Sequence, residues 1–120
     1  MKQPRADKRS FMLKRLYDYA ASLPCALAWG NPRASCRGRP VELHHVRGGV
    51  SAKTGQGLGR RKGHAIAIVV PLCAEHHRNG ADSVHAHGER GFELIHGKPD
   101  GFLLSVAASV LAAFVSGEGV

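Results

Sequence analysis

Residues 41–46 read Val-Glu-Leu-His-His-Val, and residues 70–78 read Val-Pro-Leu-Cys-Ala-Glu-His-His-Arg, so two short segments each carry a pair of adjacent histidines. The alternation of apolar and polar residues over 41–46 predicts a short strand. The sequence Ala-Ile-Ala-Ile-Val-Val at residues 65–70 predicts a second strand, which we expect Pro71 to end. A helix should begin at about residue 72. The order strand, loop, strand, helix is therefore predicted for the centre of the chain.

Upstream of the second strand, the chain is predicted to contain one helix and two irregular segments. Apolar residues recur at helical spacing over residues 5–22, and Leu23-Pro24 should end that helix. Proline and glycine are frequent in residues 25–40, which predicts a loop or knuckle around Trp29. Residues 47–63 are rich in glycine and basic residues and lack an apolar period, which indicates a long exposed loop.

Two further helices are predicted towards the C-terminus. One covers residues 84–95 and is weakened by Gly88 and Gly91, and the other covers residues 101–115 with Asp100 as its cap. The longest apolar run, residues 102–115, has 14 residues and two serines, fewer than the roughly 18 to 20 that span a bilayer. A helix with almost no polar face should be buried, which favours a dimer or a docking partner.

The positive charge of the chain is concentrated in one region. The 120 residues, a length typical of one domain, carry 17 Lys and Arg against 9 Asp and Glu, for a net charge of +8 with histidine neutral. Residues 19–74 hold eight of the basic residues and one acid, Glu42, and therefore +7 of that charge. Basic residues that neutralise phosphates release condensed counterions, which favours a nucleic-acid partner. The alternative is a solvated surface without a partner.

Three cysteines, Cys25, Cys36 and Cys73, cannot all pair with one another. No signal peptide is visible, so we expect a reducing cytoplasm, where metal binding or burial explains cysteine better than disulfides do. Cys73-x-x-His76 places two ligands on one helical turn, and Cys25 and Cys36 complete, by count, a zinc set of three cysteines and one histidine. Ten residues separate Cys25 from Cys36, more than knuckles usually use. The alternative is that Cys25 and Cys73 are small buried hydrophobic residues.

The two histidine pairs predict two distinct sites. Adjacent side chains point to opposite faces of a strand, and they diverge by about 100° on a helix. One member of a pair can therefore bind metal while its neighbour serves another role. Neutral imidazole binds divalent metals and accepts protons near neutral pH, a combination suited to phosphodiester hydrolysis. Isolated histidines are more often surface or satisfied core residues, which is our interpretation of His87 and His96.

Together these motifs resemble the phage-associated HNH endonucleases. The likeness spans about residues 23–97 and is greatest to the subgroup containing the recombination-enhancement-function nuclease, which depends on RecA. It implies an α+β fold, in which a ββα-metal (HNH) finger with a long basic loop is flanked by N-terminal and C-terminal helices. The segments that carry it are Leu-Pro-Cys at 23–25, Glu-Leu-His-His-Val-Arg at 42–47, Gly-Gln-Gly-Leu-Gly-Arg at 55–60, His64, residues 70–78, Val-His-Ala-His-Gly at 84–88 and Phe-Glu at 92–93.

The resemblance also implies roles for individual histidines. His44, His77 and His85 would bind a catalytic divalent ion, Mg²⁺, Mn²⁺ or Zn²⁺. His45 would be the general base, and His64 falls near the residue that orients the base in relatives. Both His45 and His64 are therefore predicted catalytic residues. No asparagine stands in that region, so the triad would consist of three histidines.

The zinc knuckle is where the chain departs from the family pattern. Relatives usually carry Cys-x-x-Cys after the first helix, whereas here Cys25 is followed at that spacing by Ala28. Either Cys36 has taken over, or the knuckle binds zinc through three protein ligands, or apolar packing replaces it. The full set predicted for structural Zn²⁺ is Cys25, Cys36, Cys73 and His76.

Basic residues in and beside the glycine-rich loop are predicted to bind DNA. Glycine allows the backbone to approach phosphates closely, and Lys and Arg would contact the DNA backbone without reading bases. We therefore expect little sequence specificity. The residues assigned to nucleic-acid binding are Arg47, Lys53, Arg60, Arg61, Lys62 and Arg78.

The expected function is that of a metal-dependent DNA endonuclease, phage or prophage encoded, which acts in recombination or DNA processing with a RecA-type filament as a candidate partner. Its single domain would comprise an N-terminal helix over residues 1–22, a knuckle and ββα-metal core over 23–97 and a C-terminal helix over 98–120. The main alternative is a non-catalytic zinc-binding DNA-binding module. His45 distinguishes the two, because a structural site has no need of an unligated histidine beside a ligand. A degenerate remnant that docks through its last helix is a third alternative.

Overall fold

The computed structural model describes residues 4–34, 36, 40–47 and 68–117, and within them it shows an α+β protein. An N-terminal helix precedes an antiparallel hairpin, and helices follow it, so the predicted ββα-like order is confirmed. The elements are helix α1 (Pro4–Ala21), a 3₁₀ turn (Ala26–Ala28), strand β1 (Glu42–His45), strand β2 (Val69–Leu72), a π-helical turn (Glu75–Asn79), helix α2 (Val84–Ile95) and helix α3 (Phe102–Ser116).

The hairpin pairs β1 with β2, with His44 opposite Val70 and Leu43 opposite Pro71. Pro71 therefore lies inside β2, and the expectation that it ends the strand was wrong. Proline lacks a backbone N–H, but a two-stranded sheet leaves one edge of each strand unpaired, where that donor is not needed. Residues 65–67 of the predicted strand lie outside the described residues.

The core forms where β2 is covered by the helices. All four residues of β2 are buried, and the strand packs against α1 and α3. Phe92 of α2 is fully buried in the same cluster. Each large side chain removed from water in this way contributes about 1.5–3 kcal/mol before the entropy cost of ordering it. Among the described residues, the buried apolar side chains are Leu16, Ala20, Cys25, Ala26, Ala28, Val46, Val69, Val70, Pro71, Leu72, Val84, Phe92, Leu103, Val106, Ala107 and Val110.

Helix α3 is capped by a carboxylate from α2. Gly101 is the N-cap residue and has a left-handed backbone, with φ of 86°. The carboxylate of Glu93, which is buried, accepts hydrogen bonds from the backbone N–H groups of Gly101 at 3.0 Å and Leu103 at 2.9 Å. A negative charge is favourable at a helix N-terminus because the free N–H groups there carry partial positive charge. The prediction that Asp100 is the cap was therefore wrong.

Helix α3 buries one face only. Val106, Ala107 and Val110 point into the core, whereas Ser105, Ala108, Ser109, Ala112 and Val115 are exposed. The rest of the described chain therefore leaves the outer face of α3 uncovered, and small side chains form much of that face. The partner predicted for this helix stays a prediction. Over the described ranges, no helix has both the length and the apolar character needed to cross a membrane.

Candidate metal centres

The two histidines of β1 lie on opposite faces of the hairpin, as the period of two for a strand requires. His44 is buried and shares its face with Glu42. His45 is half-buried on the other face, where its Nε2 lies 3.1 Å from the hydroxyl of Tyr17 on α1. One strand therefore presents adjacent imidazoles to two different surroundings.

Three histidines from three different elements converge on one side of β1. His44, His77 of the π-helical turn and His85 of α2 each offer a ring nitrogen, and the three nitrogens lie within 4.8 Å of one another. The ring centroids of His44 and His77 are 5.4 Å apart, and those of His77 and His85 are 4.7 Å apart. Imidazole nitrogens suit Zn²⁺ and other first-row divalent ions. We call this set the three-histidine group, and its donors fit a single ion.

Two carboxylates hold members of the three-histidine group. Oε1 of Glu42 lies 2.7 Å from Nδ1 of His77, and Oε2 of Glu89 lies 2.7 Å from Nε2 of His44. An ionised carboxylate can only accept, so each of these ring nitrogens carries the hydrogen. The ring nitrogens left to bind metal are then Nε2 of His77 and Nδ1 of His44. Carboxylate partners that fix the tautomer in this way are typical of metal-binding histidines.

Sequence reasoning missed both carboxylates. Glu42 had a signal, because it lies two residues before His44 and therefore on the same face of the strand. Glu89 had a weaker one, because it lies four residues after His85 in a segment that two glycines made an uncertain helix. These spacings do not indicate the observed partners, since Glu42 contacts His77 and Glu89 contacts His44.

Electrostatics keep His77 neutral and Glu42 ionised. Burial lowers the pKa of His77, and the nearby His44 and His85 add to this, although the hydrogen bond to Glu42 opposes it. The pKa of Glu42 falls to about 2, mainly through its hydrogen bonds to Arg78 and then through that to His77. A neutral imidazole is the form that binds metal, so the ring is in the state that metal binding requires.

His45 stands apart from the three-histidine group, with its own environment. Its ring meets the Tyr17 ring edge-on, with centroids 5.8 Å apart and planes at 84°. Burial lowers the pKa of His45, and the neighbouring His44, the positive charge of Arg47 and His77 lower it further. The neutral form, which can accept a proton, is therefore favoured. Sequence reasoning placed Tyr17 on a helix but did not connect it with His45.

The cysteines and His76 form a second cluster. Cys25 follows α1, Cys36 lies in the segment before β1, and Cys73 and His76 follow β2. One donor atom from each lies within 4.8 Å of all the others, and we call this set the cysteine–histidine group. The Sγ atoms of Cys25 and Cys73 lie 3.7 and 3.3 Å from Nδ1 of His76.

The donor set of the cysteine–histidine group fits zinc. In a tetrahedral site with the usual Zn–S and Zn–N bonds, sulfur and nitrogen ligands are about 3.6 Å apart, close to the two observed separations. Burial raises the pKa of Cys25 to about 12 and also raises that of Cys36. Buried thiols thus resist ionisation unless a cation stabilises the thiolates, which a bound divalent metal does. The cluster is consistent with a zinc site that includes Cys36.

The π-helical turn directs its two histidines to different clusters. The backbone N–H of Gly80 bonds to the carbonyl of Glu75 at 2.9 Å, the five-residue step that defines a π-turn. Within this turn His76 contacts the cysteines and His77 contacts His44 and Glu42. Single π-turns of this kind are frequent at functional sites. The structure therefore brings the two predicted ligand sets together on either side of one turn.

The other two histidines of the described ranges, His87 and His96, bond to backbone carbonyls. Nε2 of His87 donates to the carbonyl of Ala81 at 2.8 Å, and Nε2 of His96 donates to that of Asp82 at 3.0 Å. His96 also packs edge-on against His76, with centroids 5.3 Å apart, and so supports a member of the cysteine–histidine group. That contact had no signal in the sequence.

Two of the predicted DNA-binding residues are described. Arg47 is exposed at the end of β1, and Arg78 is exposed on the π-helical turn. Arg78 binds Glu42 through two contacts, Nε to Oε1 at 2.9 Å and Nη2 to Oε2 at 3.0 Å, so it has a structural role as well. The other predicted residues, Lys53, Arg60, Arg61, Lys62 and the catalytic candidate His64, lie outside the described residues.

Comparisons with protein-family models, with curated proteins and with solved structures find no match for this chain. The class of site is therefore defined by the geometry alone. A hairpin and the helical segments after it, in a ββα-like order, carry two candidate metal-binding groups, the three-histidine group and the cysteine–histidine group. One half-buried histidine, His45, lies apart from both.

Proposed function

We propose that the chain is a metal-dependent DNA endonuclease of the HNH, or ββα-metal, type. The observation that carries the proposal is the placement of His45. It lies next to His44 in sequence but outside the three-histidine group, and it is held by Tyr17 with its pKa lowered. A metal site accompanied by a neutral histidine of this kind has both parts that hydrolysis of a phosphodiester requires.

In the proposed reaction His45 is the general base. It accepts a proton from water, the resulting hydroxide forms a bond to phosphorus, and one P–O ester bond breaks while the departing oxygen takes a proton from solvent. His44, His77 and His85 would hold the divalent ion. When bound there, the ion offsets the negative charge that develops on the phosphate oxygens.

The cysteine–histidine group has a structural part in this proposal. It joins the end of α1 to the segment that follows β2, where His76 and His77 are adjacent. Zinc bound by these four residues would hold the π-helical turn in place and therefore His77 in the three-histidine group. The cysteine–histidine group thus supports the catalytic ion without touching the substrate.

DNA binding in this proposal depends on the basic region. Residues 19–74 hold +7 of the net charge, and Arg47, whose backbone N–H bonds to Glu89, is exposed two residues after His45. Contacts of this type are to phosphates, so cleavage should show little sequence preference. The sequence resemblance is the basis for a role in phage recombination and for a RecA-type filament as partner.

The competing proposal is a zinc-binding DNA-binding module without catalysis. It accounts for the cysteine–histidine group and the basic charge equally well. It gives no purpose to a second candidate metal-binding cluster with its own carboxylates, or to the separate half-buried His45 on the other face of the hairpin. Those two features favour the nuclease.

Gel assays on plasmid and on single-stranded DNA, with Mg²⁺ or Mn²⁺ and with EDTA as control, separate the two proposals. The nuclease should convert supercoiled plasmid to nicked and linear forms only when metal is present. A protein that shifts DNA in the gel but leaves every substrate intact with both metals would be the non-catalytic module.

A further inference from the structure

Oε2 of Glu89 links α2 to β1 by two hydrogen bonds. This oxygen accepts a hydrogen bond from Nε2 of His44 at 2.7 Å and one from the backbone N–H of Arg47 at 2.8 Å. The side chains of His44 and Glu89 are 9% and 17% exposed, so water has little access to replace these bonds. Glu89 therefore holds both a candidate metal ligand and the backbone at the end of the strand.

The chemistry of this contact determines which nitrogen of His44 is free. A carboxylate has no hydrogen to donate, so Nε2 must supply the hydrogen and Nδ1 keeps the lone pair. For His77 the pattern is the reverse, because Glu42 occupies Nδ1 and leaves Nε2. Two members of the three-histidine group thus present opposite ring nitrogens, each set by its own carboxylate.

The backbone of α2 explains how Glu89 reaches β1. Gly88 has φ of 79° and ψ of 167° and kinks the helix between His85 and Glu89. That combination is accessible essentially to glycine alone. A Cβ atom at position 88 would meet nothing within 4 Å, so the requirement concerns backbone conformation rather than space. The kink therefore sets the position of His85, a candidate ligand, relative to Glu89, whose carboxylate orients His44.

We propose that Glu89 is a positioning residue that commits His44 to bind a divalent ion through Nδ1 and fixes the end of β1 next to it. The effect of Glu89 on catalysis rests on the proposed function. The effect of Glu89 on metal binding does not, because the tautomer of His44 and the affinity for metal can be measured without DNA.

The test uses protein loaded with one equivalent of Zn²⁺, which the cysteine–histidine group should take first, and follows binding of a second equivalent. Competition calorimetry measures the affinity, and ¹⁵N NMR of histidine-labelled protein identifies the ring nitrogen that binds. Wild type should bind through Nδ1 of His44 and keep the hydrogen on Nε2. Glu89→Ala should bind the second Zn²⁺ about 10–100-fold more weakly, the usual effect of losing such a partner.

Two variants separate the positioning effect of Glu89 from the effect of its negative charge. Asp100→Ala removes an exposed carboxylate that lines the same cavity as Glu89, and it should bind the second Zn²⁺ as wild type does. Glu89→Gln keeps an oxygen that can accept from Nε2 but removes the charge, so its affinity should lie between those of wild type and Glu89→Ala.

Coordination through Nε2 of His44 in wild type would overturn the proposal, and so would an unchanged affinity in Glu89→Ala. An equal loss of affinity in Asp100→Ala would also overturn it, because the effect would then be one of charge alone. If metal binding follows the expected pattern while DNA stays uncut, the role of Glu89 stands and the nuclease proposal fails.

Discussion

The hydroxyl of Tyr17 lies 3.1 Å from Nε2 of His45 and joins the N-terminal helix to the second histidine of β1. The contact spans 28 residues of sequence, and the two rings meet edge-on. It holds the imidazole in one orientation on the face of the hairpin opposite His44. His45, the general base of the proposed reaction, is therefore positioned by α1, which contributes no member of the three-histidine group.

Tyr17→Phe should lower the rate of DNA cleavage and leave DNA affinity unchanged. The substitution keeps the ring and removes the hydroxyl, whose hydrogen bond has a net value of about 0.5–1.5 kcal/mol, so kcat should fall by roughly two- to tenfold. Steady-state cleavage of a labelled duplex separates kcat from KM. Tyr19→Phe is the matched control, because Tyr19 lies on the same helix but packs against Phe114. Equal rates for both variants would show that the Tyr17 contact has no catalytic value.

The metal-free protein should lose stability as the pH falls below 6.5. Burial lowers the pKa of His45, His76 and His77 below that value, so on acidification the unfolded chain binds protons first. Proton uptake then favours unfolding, and the loss is complete once the pH is below the folded pKa values. The contribution of Glu42 is lost at lower pH, because its pKa of about 2 in the folded protein lies below the 4.5 of an unperturbed glutamate.

Thermal unfolding in EDTA between about pH 7.5 and pH 5 checks this pH dependence, since the unperturbed histidine pKa of about 6.5 lies inside that range. We expect Tm to fall steadily with pH. A Tm that stays constant or rises on acidification would show that these histidines bind protons at least as readily in the folded state as in the unfolded one.

Cys36→Ser should reduce zinc binding if Cys36 belongs to the cysteine–histidine group. Serine has nearly the same size but is a poor zinc ligand, so zinc affinity should fall and Tm with it, because binding energy at a structural zinc site is folding energy. Metal analysis after dialysis against a weak chelator measures the effect, with Cys73→Ala as the positive comparison. Ser22→Ala is the control, because Ser22 is exposed and lies outside the group. Unchanged zinc content in Cys36→Ser would leave a knuckle with three protein ligands.

Gly88→Ala should destabilise the protein by about 1–3 kcal/mol, the cost of holding a residue with a side chain in that backbone region. There is space for the methyl group, so the effect should come from the kink alone. Urea unfolding measures the change, and an unchanged m value would show that the unfolded surface is the same. A variant as stable as wild type would mean that α2 can reach the three-histidine group without this conformation.

Local spacing was sufficient to predict that the two histidine pairs serve two distinct sites, whereas the grouping of His44, His77 and His85 was implied by the family resemblance. His76 and His77 are adjacent, and adjacency on any helical turn separates their directions, just as it does for His44 and His45 on a strand. Cys73-x-x-His76 places two ligands on the same turn regardless of the rest of the fold. The hairpin and the order of the helices followed from equally local patterns.

Contacts between distant segments were not predictable in this way. Cys36 was assigned to its group by the count of cysteines and not by spacing, since ten residues separate it from Cys25. Glu93 replaces Asp100 as the cap of α3 because it is aimed at the helix end from α2. Glu89 contacts His44 across 45 residues of sequence, and Tyr17 contacts His45 across 28. Both contacts depend on how the helices pack against β1, which local spacing does not specify.

The rate at which His45→Ala cleaves supercoiled plasmid, relative to wild type, tests the central claim most directly. Both proteins should bind DNA and zinc equally, and wild type should nick the plasmid with Mn²⁺. Loss of a general base typically lowers the rate about 10²–10⁴-fold, which is the result expected for His45→Ala. His87→Ala, which removes an exposed histidine outside both groups, should cut as wild type does. Cleavage by His45→Ala at the wild-type rate would contradict the assignment of the base and the mechanism built on it.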